Sequence, residues 1–226
     1  MTCDVISTGS QGNAVVLDGK ILIDCGVSLA KLRPYMKGLR LVLLTHIHGD
    51  HFKPRTVRAL HRERPGLRWG CCEWMVGHLL QAGVDKRVID VMQFDSPGDT
   101  SRAYIYDGLA IAWPELLQHD VPNCGWHIST GKEFAFYATD TGTLDGIEAP
   151  GYDLYLIEAN YTDADLEDRA VEKLDAGQFA YEIRAAKNHL SQEQAEEWIR
   201  QQSGPNSRYI FLHQHRGGDT GCRTES

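Results

Sequence analysis

The chain has 226 residues and a formal net charge of −8, enough length to bury one substantial core, and it is expected to form a single domain over residues 1–226. It contains no apolar run of about 18 residues, and Met1-Thr-Cys-Asp-Val opens like a strand without the basic and apolar regions of a signal peptide, which points to a soluble cytoplasmic protein with no membrane partner. Six cysteines with no CxxC pair suggest neither a disulfide framework nor a zinc ribbon, and the acidic balance argues against a high-affinity nucleic-acid coat.

In chain order, short apolar segments bounded by glycine predict strands at Cys3 to Ser7, Ala14 to Leu17, Lys20 to Ile23 and Leu39 to Thr45. Helical spacing predicts helices over Ser28 to Tyr35, Pro54 to Glu63 and Glu73 to Gln81, the second opening on a proline suited to a first helical position. A second set of strands follows at Arg102 to Tyr106, Leu109 to Trp113, Gly125 to Ser129, Glu133 to Thr139 and Asp153 to Ala159, then a helical stretch around Asp163 to Arg184. Ser191 with Gln194 three residues later is a capping-box pattern, opening a helix whose Ala195, Trp198 and Ile199 face the core, and Arg208 to Leu212 reads as the last strand. Two blocks of strands, each followed by helices, predict two sheets packed face to face and covered by helices outside.

The densest chemistry is HIHGDH, where His46, His48, Asp50 and His51 leave the apolar run LVLLT. In a loop leaving a strand, the first two histidines turn to one side and Asp50 and His51 to another, which suits two metal ions a few ångströms apart. Imidazole and carboxylate favour zinc first, with manganese or iron also accepted. Four residues cannot complete two sites, and the sequence offers more at other strand ends: His119 in LLQHD, Asp140 in FAFYATD and His213 in YIFLHQH. Each ends a segment expected to be buried, where an unpaired polar group is costly.

With Asp24 in ILIDCG, these residues stand in the order of the motifs of the metallo-β-lactamase superfamily, which the chain resembles over nearly its whole length. The resemblance implies an α/β fold, the four-layer αββα sandwich, with one divalent ion held by His46, His48 and His119 and a second by Asp50, His51 and His213. Asp140 would bridge the two, and Asp24 would orient the ligand loop without binding metal.

Lactamases, thioesterases, lactonases and nucleases share that cage, so the branch must be read from other residues. His189 in AAKNHLS and Glu158 in DLYLIEANY resemble the extra histidine and its glutamate partner in the phosphodiesterase branch, the ribonuclease Z and YycJ-like exonuclease groups. The resemblance makes Asp50, His189 and Glu158 the catalytic residues, with hydroxide between the metals attacking phosphorus and His189 protonating the leaving oxygen. A sugar alkoxide is a poor leaving group and benefits from a positioned acid.

STGSQGN also resembles the opening turn of the YycJ-like group, and HDVPNCGW its third motif. Tyr161, however, stands where a histidine is common, and His215 replaces a serine after the last ligand. The intervals from His119 to Asp140 and from Asp140 to His189 leave no room for a long tRNA-gripping arm or an inserted domain of ordinary size. Any polynucleotide must be gripped by the core. Gly9, Gly12 and Asn13 offer backbone N–H groups to a phosphate, and Arg55, Arg58 and Arg62 share a helical face that can guide a polyanion.

The expected function is a dinuclear metal-dependent phosphodiesterase acting on DNA, RNA or a nucleotide. Alternatives are a cyclic-nucleotide phosphodiesterase, a thioester or lactone hydrolase on the same cage, and a non-catalytic metal-binding interaction protein. The expected partner is a nucleic acid or nucleotide substrate, and a homodimer is an open assembly.

Overall fold

The computed structural model describes residues 1–94, 103–163 and 188–213. Six strands form the first sheet in sequential order: β1 (Cys3–Ser7), β2 (Ala14–Leu17), β3 (Ile21–Ile23), β4 (Leu41–Leu43), β5 (Arg68–Cys72) and β6 (Ile89–Met92). The second is ordered β12-β11-β10-β9-β8-β7, with β7 (Tyr104–Tyr106), β8 (Ala110–Leu117), β9 (Asn123–Ser129), β10 (Phe134–Ala138), β11 (Leu154–Glu158) and β12 (Arg208–Leu212). Among the described residues the helices are α1 (Leu29–Leu32), α2 (Pro54–Glu63), α3 (Glu73–Gln81) and α4 (Gln192–Gln202), with a 3₁₀ turn at Lys86–Val88. No helix among the described residues is long and apolar enough to cross a membrane.

Strand alternation divides the core into three layers of side chains. Val42 and Trp69 face outward to pack with Leu32, Val57, Leu60, Met75 and Leu79 of α1 to α3. Leu41, Leu43 and Ile23 face inward against Trp126, Ile128, Tyr137 and Leu156 of the second sheet. On that sheet's far side, Phe136, Tyr155 and Ile157 pack against Ala195, Trp198 and Ile199 of α4. Three apolar layers require four layers of backbone, which is the expected helix–sheet–sheet–helix sandwich.

The structure departs from the sequence expectations in several places. Strands β5 and β6 are additions: RWGCC carries a central glycine, and Gly70 is required because a Cβ there would lie 2.7 Å from Leu43 Cδ2 and 2.8 Å from the Tyr106 hydroxyl. β8 continues through Pro114 to Leu117, beyond the expected end at Trp113. Among the described residues pairing with β7 stops at Ala112, short of Pro114. The helix expected over Ser28 to Tyr35 shortens to α1, the chain continuing through turns to Gly38. The helical stretch from Asp163 to Arg184 falls almost wholly outside the described residues, as do His215 and Cys222. α2, α3 and β12 have the expected bounds, and the capping box at Ser191 is formed from both sides.

Candidate metal centre

Parallel pairing decides where the polar strand ends meet. β3 pairs with β4, and β11 with β10 and β12, all in parallel, so their C-terminal ends gather at one rim of the sandwich. Among the described residues four non-glycine residues have positive φ, and three of them stand at these ends: Asp24 (φ 60°), Asp140 (φ 56°) and His213 (φ 59°). Such backbone costs about 1–3 kcal/mol each and persists only where the surroundings fix it. Here each residue turns its side chain onto the rim.

The ligand loop after β4 is organised by Asp24, fully buried at its base. Its Oδ1 accepts from the Thr45 backbone N–H at 3.0 Å and from Thr45 Oγ1 at 3.0 Å, and its Oδ2 lies 2.6 Å from His51 Nδ1. A carboxylate only accepts, so His51 carries a proton on Nδ1, and Nε2, facing Asp140, is the nitrogen left to take a cation. Because Thr45 Oγ1 donates to Asp24, it accepts from His46 Nδ1 at 3.0 Å. That leaves His46 Nε2 bare, buried and without a hydrogen bond. Glu158 acts similarly across the rim: its Oε1 lies 2.6 Å from His189 Nδ1 and 2.9 Å from His213 Nδ1, fixing both protons and freeing both Nε2 atoms.

Among the described residues three groups of potential ligand atoms result, each with its atoms within 4.8 Å of one another: His46, His48 and His119; His46, His51 and Asp140; and Asp140, Glu158, His189 and His213. Asp50 Oδ2 lies 3.7 Å from His51 Nε2 and 3.9 Å from His213 Nε2. All seven expected ligands therefore share one rim, with Asp140 common to two groups. The donor set suits divalent cations on a further ground: His46 Nε2, His119 Nδ1 and Asp140 Oδ2 are buried polar atoms without hydrogen bonds, although His51 Nε2 is 2.8 Å from the last. Orphaned acceptors at one spot are expensive unless a cation meets them.

Charge follows the same division. Burial, reinforced by neighbouring His51, holds the His46 pKa well below the usual histidine range, and burial lowers that of His119, so both are neutral imidazoles ready to donate a lone pair. Burial opposes charge on His51, but Asp140 and Asp24 prevail and raise its pKa well above the usual value. For His213, burial is likewise overcome, by Asp140 and Glu158, to about 9. Burial pushes the Asp140 carboxyl up, yet His51 and His213 hold it well below the carboxylate range. Burial also lowers His189, but its hydrogen bond to Glu158 raises it overall.

The weaker sequence expectations fare unevenly. Arg55 and Arg62 are exposed on α2, but Arg58 Nε and Nη2 donate to the Ala82 and Gln81 carbonyls at 3.2 and 3.3 Å, so Arg58 ties α2 to the end of α3. Asn13 is only 2% exposed and points into the ligand loop, which removes its side chain from any substrate surface. Gly9 and Gly12 have φ of 86° and 129°, a turn that packs inward; a Cβ on Gly12 would lie 2.1 Å from Gly26 O. Two site residues were not anticipated. Thr45 sets the His46 tautomer, and Asp120 Oδ1 lies 3.2 Å from His119 Nε2 and 3.5 Å from His48 Nε2. The signal for Asp120 was its place directly after a ligand in LLQHD.

A two-sheet sandwich carrying a histidine and carboxylate cage on its strand ends defines a class of metal-binding proteins that are generally hydrolases. The model of the β-lactamase superfamily domain matches residues 20–214, and the chain belongs to the metallo-β-lactamase superfamily. Similar solved structures include the metallo-β-lactamase fold protein YhfI from Bacillus subtilis, at 17% identity and a TM-score of 0.69, covering 96% of this chain and 87% of that one. Human tRNase Z, short form, matches at 16% identity and a TM-score of 0.66 (95% and 92%), and a diphosphatase of the PhnP family at 16% and 0.57 (94% and 86%). A search of curated proteins by sequence returns no significant match.

Proposed function

We propose that this protein is a cytoplasmic, dinuclear metal-dependent phosphodiesterase acting on a nucleic acid or nucleotide. The observation that carries the reading is the His189–Glu158 pair, 2.6 Å apart beside Asp140. A hydrolase of thioesters has no task for it, since a thiolate leaves without a proton, whereas a sugar alkoxide needs one. Similarity to tRNase Z and to a PhnP-family diphosphatase supports phosphoryl chemistry.

In this reading His46, His48 and His119 hold one cation and Asp50, His51 and His213 the other, with Asp140 shared; zinc fits the donors best. When bound, the two cations supply Lewis acidity toward a phosphoryl oxygen and lower the pKa of water. The chain does the rest. Asp24 and Glu158 fix the histidine tautomers, so each lone pair is directed before substrate arrives. His189, partly exposed, keeps its Nδ1 proton on Glu158 and presents Nε2 to the leaving oxygen. The raised pKa keeps the imidazolium populated closer to neutral pH, where a general acid is most effective. Arg55 and Arg62 on α2, which begins three residues after His51, favour a polynucleotide over a small diester.

The test is to load the protein with zinc or manganese and assay it against single- and double-stranded DNA, RNA, a cyclic-nucleotide panel, a thioester and a lactone. Hydrolysis of a nucleotide phosphodiester, with thioester and lactone untouched, is expected. Turnover of the thioester or lactone alone would overturn the proposal.

A further inference from the structure

The loop between β1 and β2 reaches the site from the start of the chain, and its contacts are selective. Asn13 donates its backbone N–H to Asp50 O at 2.6 Å, and its side-chain Nδ2 lies 3.3 Å from Asp50 Oδ2 and 2.7 Å from His51 Nε2. From the other end of the loop, Thr8 Oγ1 accepts from the His213 backbone N–H at 2.6 Å. Asp50, His51 and His213 are the three terminal ligands of one proposed cation. Among the described residues, no hydrogen bond joins the loop to His46, His48 or His119.

We propose that Thr8 and Asn13 are positioning residues that build the second cation site and leave the first to the sandwich itself; this rests on the dinuclear reading above. Three observations support it. First, the loop is closed by Asn13: Oδ1 accepts from Gly9 N at 2.8 Å while Nδ2 reaches Gly9 O at 3.3 Å, and an amide carries its donor and acceptor on separate atoms that can meet both groups at once. Secondly, the contact between the loops is too close for side chains. A Cβ on Gly26, whose N–H donates to Asn13 O at 3.0 Å, would lie 1.6 Å from Asp50 O. The loop therefore transmits its position directly to the backbone of the ligand segment. Thirdly, His213 has φ +59°, a conformation its own side chain disfavours, and the Thr8 hydroxyl is what its N–H bonds in that conformation.

The side-chain amide has two N–H groups and four acceptors in reach: Gly9 O, Asp50 O, Asp50 Oδ2 and His51 Nε2. With a proton on His51 Nδ1 toward Asp24, Nε2 is the atom assigned to the cation, which leaves the amide N–H groups to Asp50 and to the loop itself. Whichever of the remaining partners the N–H groups choose, they bind Gly9 or Asp50, and so hold the Asp50 segment against the loop.

The test measures zinc bound per chain against buffered free zinc for the parent, Asn13→Ala, Thr8→Val and His213→Ala, with circular dichroism as a check on folding. The parent should saturate at two ions. Asn13→Ala should keep the tighter ion and weaken the other by roughly 10–100-fold, the usual range for outer-shell partners, with excess zinc restoring the second ion. Thr8→Val, which removes one hydroxyl at nearly constant volume, should act in the same direction, and neither change should weaken binding further in the His213→Ala background. Parent-like binding of both ions by both variants, or parallel loss of both ions, would overturn the proposal. If Asn13→Ala does not fold, Thr8→Val decides by the same criteria. A parent that saturates below two ions would instead refute the dinuclear reading.

Discussion

Replacing Asp24 by asparagine tests whether a buried carboxylate controls the ligand loop through a tautomer. The change is nearly isosteric, and asparagine accepts the positive φ of 60°, so the fold should survive. In Asp24→Asn the amide oxygen can still accept from Thr45 N and Oγ1, which preserves the relay to His46. The other side fails: an NH₂ group replaces the oxygen 2.6 Å from His51 Nδ1, and two donors would face each other. His51 must then move its proton to Nε2, the atom assigned to the cation. The expected result is selective loss of affinity at the Asp50–His51–His213 site by about 10–100-fold, or about 1.4–2.8 kcal/mol. Chelator-competition titration with zinc measures it, and thermal unfolding reports the state of the fold. Two ions bound with parent affinity would refute the tautomer argument.

Asp140→Ala should lower occupancy at both cation sites, because Asp140 shares one ligand group with His46 and another with His213; elemental analysis showing one site unaffected would remove its bridging role. Arg55→Gln with Arg62→Gln should weaken binding to long DNA or RNA and reduce the slope of log affinity against log salt by about 1 per arginine. Small-diester turnover should stay near the parent's, and an unchanged slope would return these arginines to a solvated face. Glu158 raises the His189 pKa, so the imidazolium persists below the raised value and is lost as pH climbs through it. Glu158→Gln should accordingly bring the alkaline fall of kcat/KM to lower pH; a falling limb that stays in place would separate His189 protonation from catalysis.

Much of the site was legible because its chemistry is local or stands at strand ends. HIHGDH announces itself, and His119, Asp140 and His213 each close an apolar run whose burial makes a bare polar group conspicuous. The four layers were legible from two blocks of strands, each followed by helices, the last of them opened by the capping box at Ser191. What stayed hidden depends on approach between distant segments. Asn13 and Asp50 are 37 residues apart, and only the packed structure turns a suspected phosphate-binding turn into a contact with the ligand loop. Thr45 resembled any strand-end threonine until Asp24 and His46 were seen on its hydroxyl. Arg58 shared a helical face with Arg55 and Arg62, but the nearby end of α3, with its carbonyls, is a tertiary fact.

The central claim is that His189, held by Glu158, donates a proton to the leaving oxygen of a phosphodiester. It is tested most directly by comparing His189→Ala with the parent on a natural nucleotide linkage and on a nitrophenyl diester. The variant should keep two metal ions, lose about 10²–10⁴-fold in kcat on the natural linkage, the scale of a general acid, and lose far less on the activated diester, whose leaving group needs little protonation. Equal losses on both substrates with metal retained, or undiminished hydrolysis of the natural linkage, would contradict the assignment.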